Sequence, residues 1–127
     1  VKEAKGEKIS SPKIVTKLMG EEGKADREAF WVLHLNAKNK IIEKELVSLG
    51  IVNSSLVHPR EVFKKAILNG DSGIITVHNH PSGDPTPSEE DFRVWNRLEE
   101  AGKILGIEVV DNIIITPVGE YYSWKER

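Results

Sequence analysis

Residues 78 to 91 carry two imidazoles, a hydroxyl and a carboxylate at spacings that suit a metal site. The segment runs His-Asn-His-Pro-Ser-Gly-Asp-Pro-Thr-Pro-Ser-Glu-Glu-Asp. Because residues i and i+2 of a β-strand point to the same face, the rings of His78 and His80 are expected to converge on one ion. Asp91 is the candidate third ligand, and Ser88 lies three residues before it.

Two imidazole nitrogens and one carboxylate suit a borderline divalent ion such as Zn²⁺. Three protein ligands leave a fourth tetrahedral position for water, whereas structural zinc sites usually have four protein ligands, commonly thiolates. The chain has no cysteine, so a zinc ion bound here is predicted to be catalytic. The same ligand types suit an iron-dependent oxygenase, and the ligands alone leave both chemistries open. A zinc nucleobase deaminase does not fit, because it needs a Cys-x-x-Cys pair.

Several of these residues also have ordinary structural explanations. A serine followed three residues later by an acid, as in Ser88 and Asp91, resembles a capping box at the start of a helix. Capping and metal binding would use the same carboxylate oxygens, and the sequence leaves open which role prevails. His34 and His58 are isolated histidines, and we interpret both as hydrogen-bonded packing residues.

The metal motif is predicted to lie between a central strand and a long helix. Residues 73–77 form a short apolar, β-branched run that is typical of a strand covered on both faces. A helix from Ser88 to Gly106 is indicated by apolar residues at helical intervals. Three prolines within residues 81–87 predict a stiff connection between the two.

The remaining pattern predicts a chain that alternates short strands and helices. The predicted elements are a short helix that begins at Ser10 to Pro12 and is broken over 20–26, a hairpin of strands 29–35 and 41–49, a short strand at 55–57, a helix at 59–69, and strands at 109–116 and 120–124.

Composition narrows the range of functions. A length of 127 residues fits one domain, with residues 1–9 as a flexible lead-in and residues 10–127 as a single domain. Eighteen basic and twenty acidic residues give a net charge of −2, which does not favour nucleic-acid binding. We predict no membrane segment and take a cytoplasmic location as the default, with which the absence of cysteine is compatible. The start at Val1 suggests an excised fragment, and no pattern specifies an oligomeric state.

The chain resembles a known family of metalloproteases. His78-x-His80, seven residues, Ser88, two residues and Asp91 resemble the JAMM motif of MPN-domain metalloproteases. The wider wording of residues 78–88, with His-Pro-Arg-Glu-Val-Phe at 58–63 and Tyr-Tyr-Ser at 121–123, resembles the bacterial RadC family in particular. The resemblance covers about residues 10 to 124.

This resemblance implies a role for each matching residue. His78, His80 and Asp91 would be the zinc ligands, with water in the fourth position. Glu28 would be the catalytic acid and base, and Ser88 would donate a hydrogen bond to the developing oxyanion. Without the resemblance, Glu28 could not be chosen over Glu43 or Glu45.

The resemblance also implies a fold and a reaction. The fold would be α/β (α+β), an MPN/JAMM-like, mixed and largely antiparallel sheet with helices on both faces, a layering similar to that of cytidine deaminases. Strand 73–80 would be central. The expected activity is zinc-dependent hydrolysis of a peptide or isopeptide bond in a protein or peptide substrate.

Two alternatives to that activity stay open. The domain could be a zinc-binding protein-interaction module with little or no activity, or a nucleic-acid-binding accessory domain associated with DNA repair. The chain also departs from the family pattern at two positions. Asn112 stands where RadC-like sequences have histidine, and Asn36 stands where they have aspartate. Both departures are expected to change contacts around the site or partner surfaces rather than the ligand set.

Overall fold

A five-stranded mixed sheet forms the centre of the structure, a computed structural model that describes residues 5–126. The strands are β1 (Ala29–Leu35), β2 (Ile41–Leu49), β3 (Gly73–Asn79), β4 (Glu108–Ile115) and β5 (Tyr121–Ser123). Their order across the sheet is β2-β1-β3-β4-β5. β3 and β4 are parallel, and the other three neighbouring pairs are antiparallel. β3 is therefore the central strand.

Helices cover both faces of this sheet. The described helices are α1 (Pro12–Leu18), α2 (Gly20–Gly23), α3 (Pro59–Asn69) and α4 (Glu89–Leu105). One apolar cluster joins α3 and α4 to one face, through side chains such as Phe63 and Trp95. A second cluster packs Val15 of α1 and Met19 against the other face.

The alternation of side chains along β1 and β3 decides which residues face which helices. Both strands are buried along their whole length, because each has helices above and below it. Phe30 and Ile74 belong to the cluster of α3 and α4, whereas Trp31 and Val77 belong to the cluster of α1. By the same alternation, His78 points toward α4, and its neighbour Asn79 points to the opposite face.

The predicted fold class is confirmed, and two local predictions are wrong. The expected strand at residues 55–57 is a turn, because the Asn53 side-chain oxygen accepts the N–H groups of Ser55 and Leu56 at 2.9 and 3.0 Å. This local hydrogen bonding outweighs the β propensity of the segment. The expected break over 20–26 begins with one further helical turn, α2, in which Gly23 donates to the Met19 carbonyl at 2.9 Å.

The described part of the predicted lead-in is attached to the sheet. Gly6 donates to the Ile41 carbonyl at 2.7 Å, and the Ile41 N–H donates back to Glu7 at 2.8 Å. Ile9 is buried in the cluster of α1. Polar composition alone gave no sign of this edge contact. Residues 1–4 of the lead-in lie outside the described residues.

Candidate metal centre

The connection from β3 to α4 brings the three predicted ligands together. His78 lies in β3, His80 follows the strand end, and Asp91 lies in the first turn of α4. His78 Nε2 is 3.1 Å from Asp91 Oδ1, and His80 Nε2 is 3.2 Å from Asp91 Oδ2. One ligand atom from each residue lies within 4.8 Å of the others. The three side chains can therefore hold a metal ion.

His80 is oriented by the loop that follows it. Its Nδ1 lies 2.9 Å from the backbone carbonyl of Asp84, to which a protonated Nδ1 donates. The Asp84 carboxylate in turn accepts the Thr86 N–H at 3.0 Å and the Thr86 hydroxyl at 2.7 Å. A carbonyl bonded to one ring nitrogen is the usual way in which proteins aim the other nitrogen at a metal. Nε2 of His80 is thus directed at Asp91.

His78 is the deepest member of the group and has no exposed surface. Its ring lies between Phe30 and Trp95, with ring centroids 6.1 and 6.0 Å away. Within residues 5–126, neither of its ring nitrogens makes a hydrogen bond, because the 3.1 Å approach to Asp91 lacks the necessary alignment. Buried polar atoms without partners are costly and uncommon. A cation bound through Nε2 would satisfy one of them, so the residues fit a metal.

Asp91 caps the helix and faces the histidines at the same time. Ser88 Oγ accepts the Asp91 N–H at 3.1 Å, and Asp91 Oδ2 accepts the Ser88 N–H at 2.9 Å. Burial by itself would raise the pKa of the Asp91 carboxyl, but the facing imidazoles of His78 and His80 hold it well below its usual range. The sequence left open whether Asp91 caps the helix or faces a metal. The geometry of its carboxylate allows both roles.

The same contact perturbs His80. Burial alone would lower the pKa of the His80 imidazole, but Asp91, the Asp84 carbonyl and the charge of Glu28 together raise it. A proton on Nε2 would take the position that a cation needs. Such competition between protons and metal is common at histidine ligands.

Glu28 and His80 line the same open cleft. The cleft has a volume of about 520 Å³, and its charged and polar lining residues are Glu28, Asn53, His80, Ser82, Ser88, Glu90 and Asp91. Glu28 precedes β1 directly, and its Oε1 accepts the Val52 N–H at 3.1 Å. Asn53, Ser82 and Glu90 were not predicted at the cleft. Glu90 could have been inferred from its place beside Asp91 in the first helical turn.

The two rival glutamates lie in β2, Glu43 near the start of the strand and Glu45 at its middle. Glu45 contacts His34 Nε2 at 2.8 Å, and Glu43 accepts from Lys65 at 3.0 Å. Neither lines the cleft that contains Glu28. His34 is fully buried and also bonds to Asp71 through Nδ1. It is a hydrogen-bonded packing residue, as predicted.

His58 has a capping role. Its Nδ1 accepts the Arg60 N–H at 3.0 Å at the start of α3. This bond supports the prediction that His58 is a structural residue.

The two departures from the family pattern make local structural contacts. The Thr76 hydroxyl donates to Asn112 Oδ1 at 2.5 Å, and Asn112 is fully buried. Asn36 Oδ1 accepts the N–H groups of Lys38 and Lys40 at 2.9 and 3.0 Å, in the turn between β1 and β2. Neither residue belongs to the three-residue metal group.

A second depression is apolar and lies between α3 and α4. It has a volume of about 560 Å³, and Arg60 and Lys64 are the charged residues in its lining. Phe63, Ile67 and Ile104 supply much of its wall. It contains no acid or base suited to proton transfer, so it is not the candidate catalytic site.

Comparison with known proteins identifies the family of this chain. A family model described as "RadC-like JAB domain" matches residues 9–127. The chain belongs to the RadC-like JAB domain family. The match covers the whole metal group, the cleft and every strand of the sheet.

Relatives of this RadC-like JAB domain are about half identical to it. It is 50% identical over 121 residues to a UPF0758 protein of Methanosarcina mazei, which covers 94% of this chain and 52% of that protein. A UPF0758 protein of Caldanaerobacter subterraneus is 55% identical over 120 residues, covering 94% of this chain and 51% of that protein. The chain thus spans about half the length of these curated relatives, and their printed names state no activity. Within residues 5–126, no helix combines the length and apolar character needed to cross a membrane.

Proposed function

We propose that this RadC-like JAB domain is a zinc-dependent hydrolase of peptide or isopeptide bonds. The observation that carries the proposal is the convergence of His78, His80 and Asp91 on one point, together with the cleft that His80 and Asp91 share with Glu28. Three ligands of these types suit Zn²⁺ with a position left open to the cleft. A site with two nitrogen donors and a single carboxylate fits Mg²⁺ and Ca²⁺ less well, because those ions prefer oxygen ligands.

The metal and the side chains beside it would have separate roles in the reaction. Zn²⁺ held by His78, His80 and Asp91 would supply a Lewis acid and would lower the pKa of water at the site toward neutrality. Glu28 accepts a proton from the attacking water and returns it to the leaving amine. Its Oε1 is held by the Val52 N–H, so Oε2 is the oxygen assigned to proton transfer.

Ser88 would stabilise the charge that develops on the substrate. Its Oγ accepts the Asp91 N–H at 3.1 Å, which leaves the hydroxyl proton available for donation. Ser88 is exposed at the rim of the cleft. Donation to the developing oxyanion is therefore its assigned role, and it is not the nucleophile.

The strongest alternative is a metal-stabilised interaction module without hydrolytic activity. The three ligand residues join the end of β3 to the start of α4, and a metal at that junction would stabilise the fold even without turnover. A nucleic-acid-binding role is less favoured, because Glu28, Glu90 and Asp91 make the cleft acidic. A protein or peptide substrate and a cytoplasmic location stay proposals.

Metal-dependent cleavage tests the proposal. The protein would be loaded with Zn²⁺, its metal content measured, and a library of peptides and lysine-linked isopeptides incubated with it. We expect cleavage that a chelator abolishes, that added Zn²⁺ restores and that His80→Ala lacks. One equivalent of bound zinc with no cleavage across the library would favour the inert module.

A further inference from the structure

Asn79 lies between two ligand histidines but does not face the metal group. Its neighbours His78 and His80 point toward Asp91, whereas alternation along β3 directs Asn79 to the opposite face. Asn79 has no exposed surface. A fully buried carboxamide needs hydrogen-bond partners on both its oxygen and its nitrogen.

The partners of Asn79 are three backbone groups on both sides of Glu28. Asn79 Oδ1 accepts the Ala29 N–H at 2.8 Å. Asn79 Nδ2 donates to the Arg27 carbonyl at 2.9 Å and, over a longer 3.4 Å, to the Ala25 carbonyl. The residue between the bonded groups of Arg27 and Ala29 is Glu28. One side chain thus holds the backbone immediately before and after the proposed acid and base.

These side-chain bonds take the place of backbone hydrogen bonds between β1 and β3. The pairing of β1 with β3 ends at Phe30 and His78. Beyond that pair, the Asn79 carboxamide holds the Ala29 N–H, and the His80 N–H instead donates to the Ile115 carbonyl at 2.9 Å. The end of β3 therefore remains hydrogen-bonded to the end of β4, whereas the chain before β1 is no longer paired with β3. The cleft that contains Glu28 and His80 lies at this separation.

Glu28 is held from the other side by the chain after β2. The Gly50 N–H donates to the Glu28 carbonyl at 2.8 Å, and the Val52 N–H donates to Glu28 Oε1 at 3.1 Å. Asn79 and the segment of Gly50 and Val52 thus restrain Glu28 from both neighbouring strands. Aspartate at position 79 could accept from Ala29 but could not donate to Arg27, so the restraint requires a carboxamide.

We propose that Asn79 is the positioning residue for Glu28 and fixes the distance between Glu28 and the metal ligands. The inference rests on the proposed role of Glu28 in hydrolysis. Asn79 does not touch substrate or metal, because it faces away from the cleft. Its loss moves the acid and base while the ligands His78, His80 and Asp91 stay in place.

A structural test needs neither metal nor activity. Amide chemical shifts and hydrogen exchange would be measured for wild type, Asn79→Ser, Asn79→Asp and Glu28→Ala. In Asn79→Ser, which loses the acceptor, we expect the Ala29 amide to exchange at least about tenfold faster. In both Asn79 variants, we expect the Val52 amide to shift in the same direction as in Glu28→Ala. Asn112→Ser, which alters a buried carboxamide on the other face of the sheet, serves as the control and leaves both amides unchanged.

The proposal is overturned if the Asn79 variants keep wild-type signals at Ala29 and Val52. If neither variant folds, hydrogen exchange in the wild-type protein still tests the proposal. The two Asn79 side-chain amide protons should then exchange slowly, and fast exchange would contradict the bonds to Arg27 and Ala25.

A kinetic test links the position of Glu28 to turnover. A misplacement of about 1 Å at a reacting group costs on the order of 10²-fold in rate, so Asn79→Ser should lower kcat by about 10- to 100-fold. KM and zinc affinity should change by less than about threefold, because Asn79 touches neither substrate nor ligand atoms.

The double variant distinguishes positioning from a general loss of structure. In a Glu28→Gln background, Asn79→Ser should lower kcat no further, since its effect passes through Glu28. A further loss of the same size would overturn the inference. If wild type cleaves nothing, the proposed hydrolysis fails, whereas the amide measurements still decide whether Asn79 positions Glu28.

Discussion

At the scale of single residues, the metal group depends on a carboxylate that serves two structural purposes. Asp91 Oδ2 accepts the Ser88 N–H at 2.9 Å and also lies 3.2 Å from His80 Nε2. A carboxylate can accept up to about four hydrogen bonds, so capping does not exhaust it. Because the pKa of Asp91 is depressed, the group is ionised at neutral pH and can bind a cation without first losing a proton.

The first prediction concerns Glu28. Replacing it with glutamine in Glu28→Gln keeps the shape of the side chain and removes its ability to take a proton. We expect turnover to fall by about 10²- to 10⁴-fold, the usual contribution of a positioned acid and base. Zinc content should stay at the wild-type level, because Glu28 is outside the three-residue metal group. Steady-state kinetics and elemental analysis check both parts.

Glu43→Gln is the matched control for this substitution. Glu43 was one of the rival glutamates, and it bonds to Lys65 at the far end of β2. Its turnover should equal that of wild type within about twofold, as for a surface substitution away from the site. A comparable loss in both variants, or no loss in Glu28→Gln, would remove Glu28 from the mechanism.

At the scale of elements, α4 is held close to the sheet by a glycine. An added Cβ at Gly102 would lie 2.5 Å from the Ile107 carbonyl and 3.2 Å from Val109 Cγ2. The turn after α4 returns at this point, since the Ile107 N–H donates to the Gly102 carbonyl at 3.0 Å. Close packing of the carboxyl-terminal end of α4 therefore depends on the absence of a side chain at position 102.

The second prediction follows from the close contact between Gly102 and the Ile107 carbonyl. Helix propensity alone would make Gly102→Ala stabilising by about 0.8–1.0 kcal/mol. We expect the reverse, a loss of roughly 1–3 kcal/mol in the free energy of unfolding, because the methyl group meets backbone that cannot easily move. Urea unfolding measures the change. Gly20→Ala, where an added Cβ meets nothing within 4 Å, should be neutral or stabilising; equal effects at both sites would refute the packing argument.

The third prediction compares two serines at helix starts. Ser88 accepts the N–H of Asp91 in a complete capping box, whereas Ser11, the N-cap of α1, makes no side-chain cap bond. Ser88→Ala should lower the free energy of unfolding by about 1 kcal/mol, and Ser11→Ala should change it by less than about 0.5 kcal/mol. The measurement is urea unfolding of metal-free protein. A larger loss for Ser11→Ala would contradict this assignment of caps.

Local signals made most of the elements predictable, and contacts between distant residues limited the rest. The apolar run of β3 and the helical spacing in α4 are properties of neighbouring residues. The predicted bounds of both elements are therefore close to those in the structure. The bond from His34 to Asp71 joins residues 37 positions apart, and no local pattern encodes it. The role of Asn79 was missed for the same reason, since its partners lie 50 to 54 residues earlier.

At the scale of the whole molecule, the metal group joins the central strand to the helix that follows it in the chain. His78 belongs to the central strand, and Asp91 lies in the first turn of the longest described helix. Between them the chain passes through an external loop of seven residues, 81–87, whose side chains are exposed or half-buried. A cation shared by strand and helix would therefore resist separation of α4 from the sheet.

The last prediction is that zinc raises the stability of the whole domain. A ligand that binds only the folded state adds about 2.7 kcal/mol at a concentration 100 times its Kd. For a chain of 127 residues, each kcal/mol raises Tm by roughly 3–6 °C, so a total rise of roughly 8–16 °C is expected. Calorimetry with Zn²⁺ and with chelator measures it. His80→Ala, which removes a ligand that is only partly buried, should show no such rise; an equal rise in that variant would mean that zinc binds and stabilises the protein elsewhere.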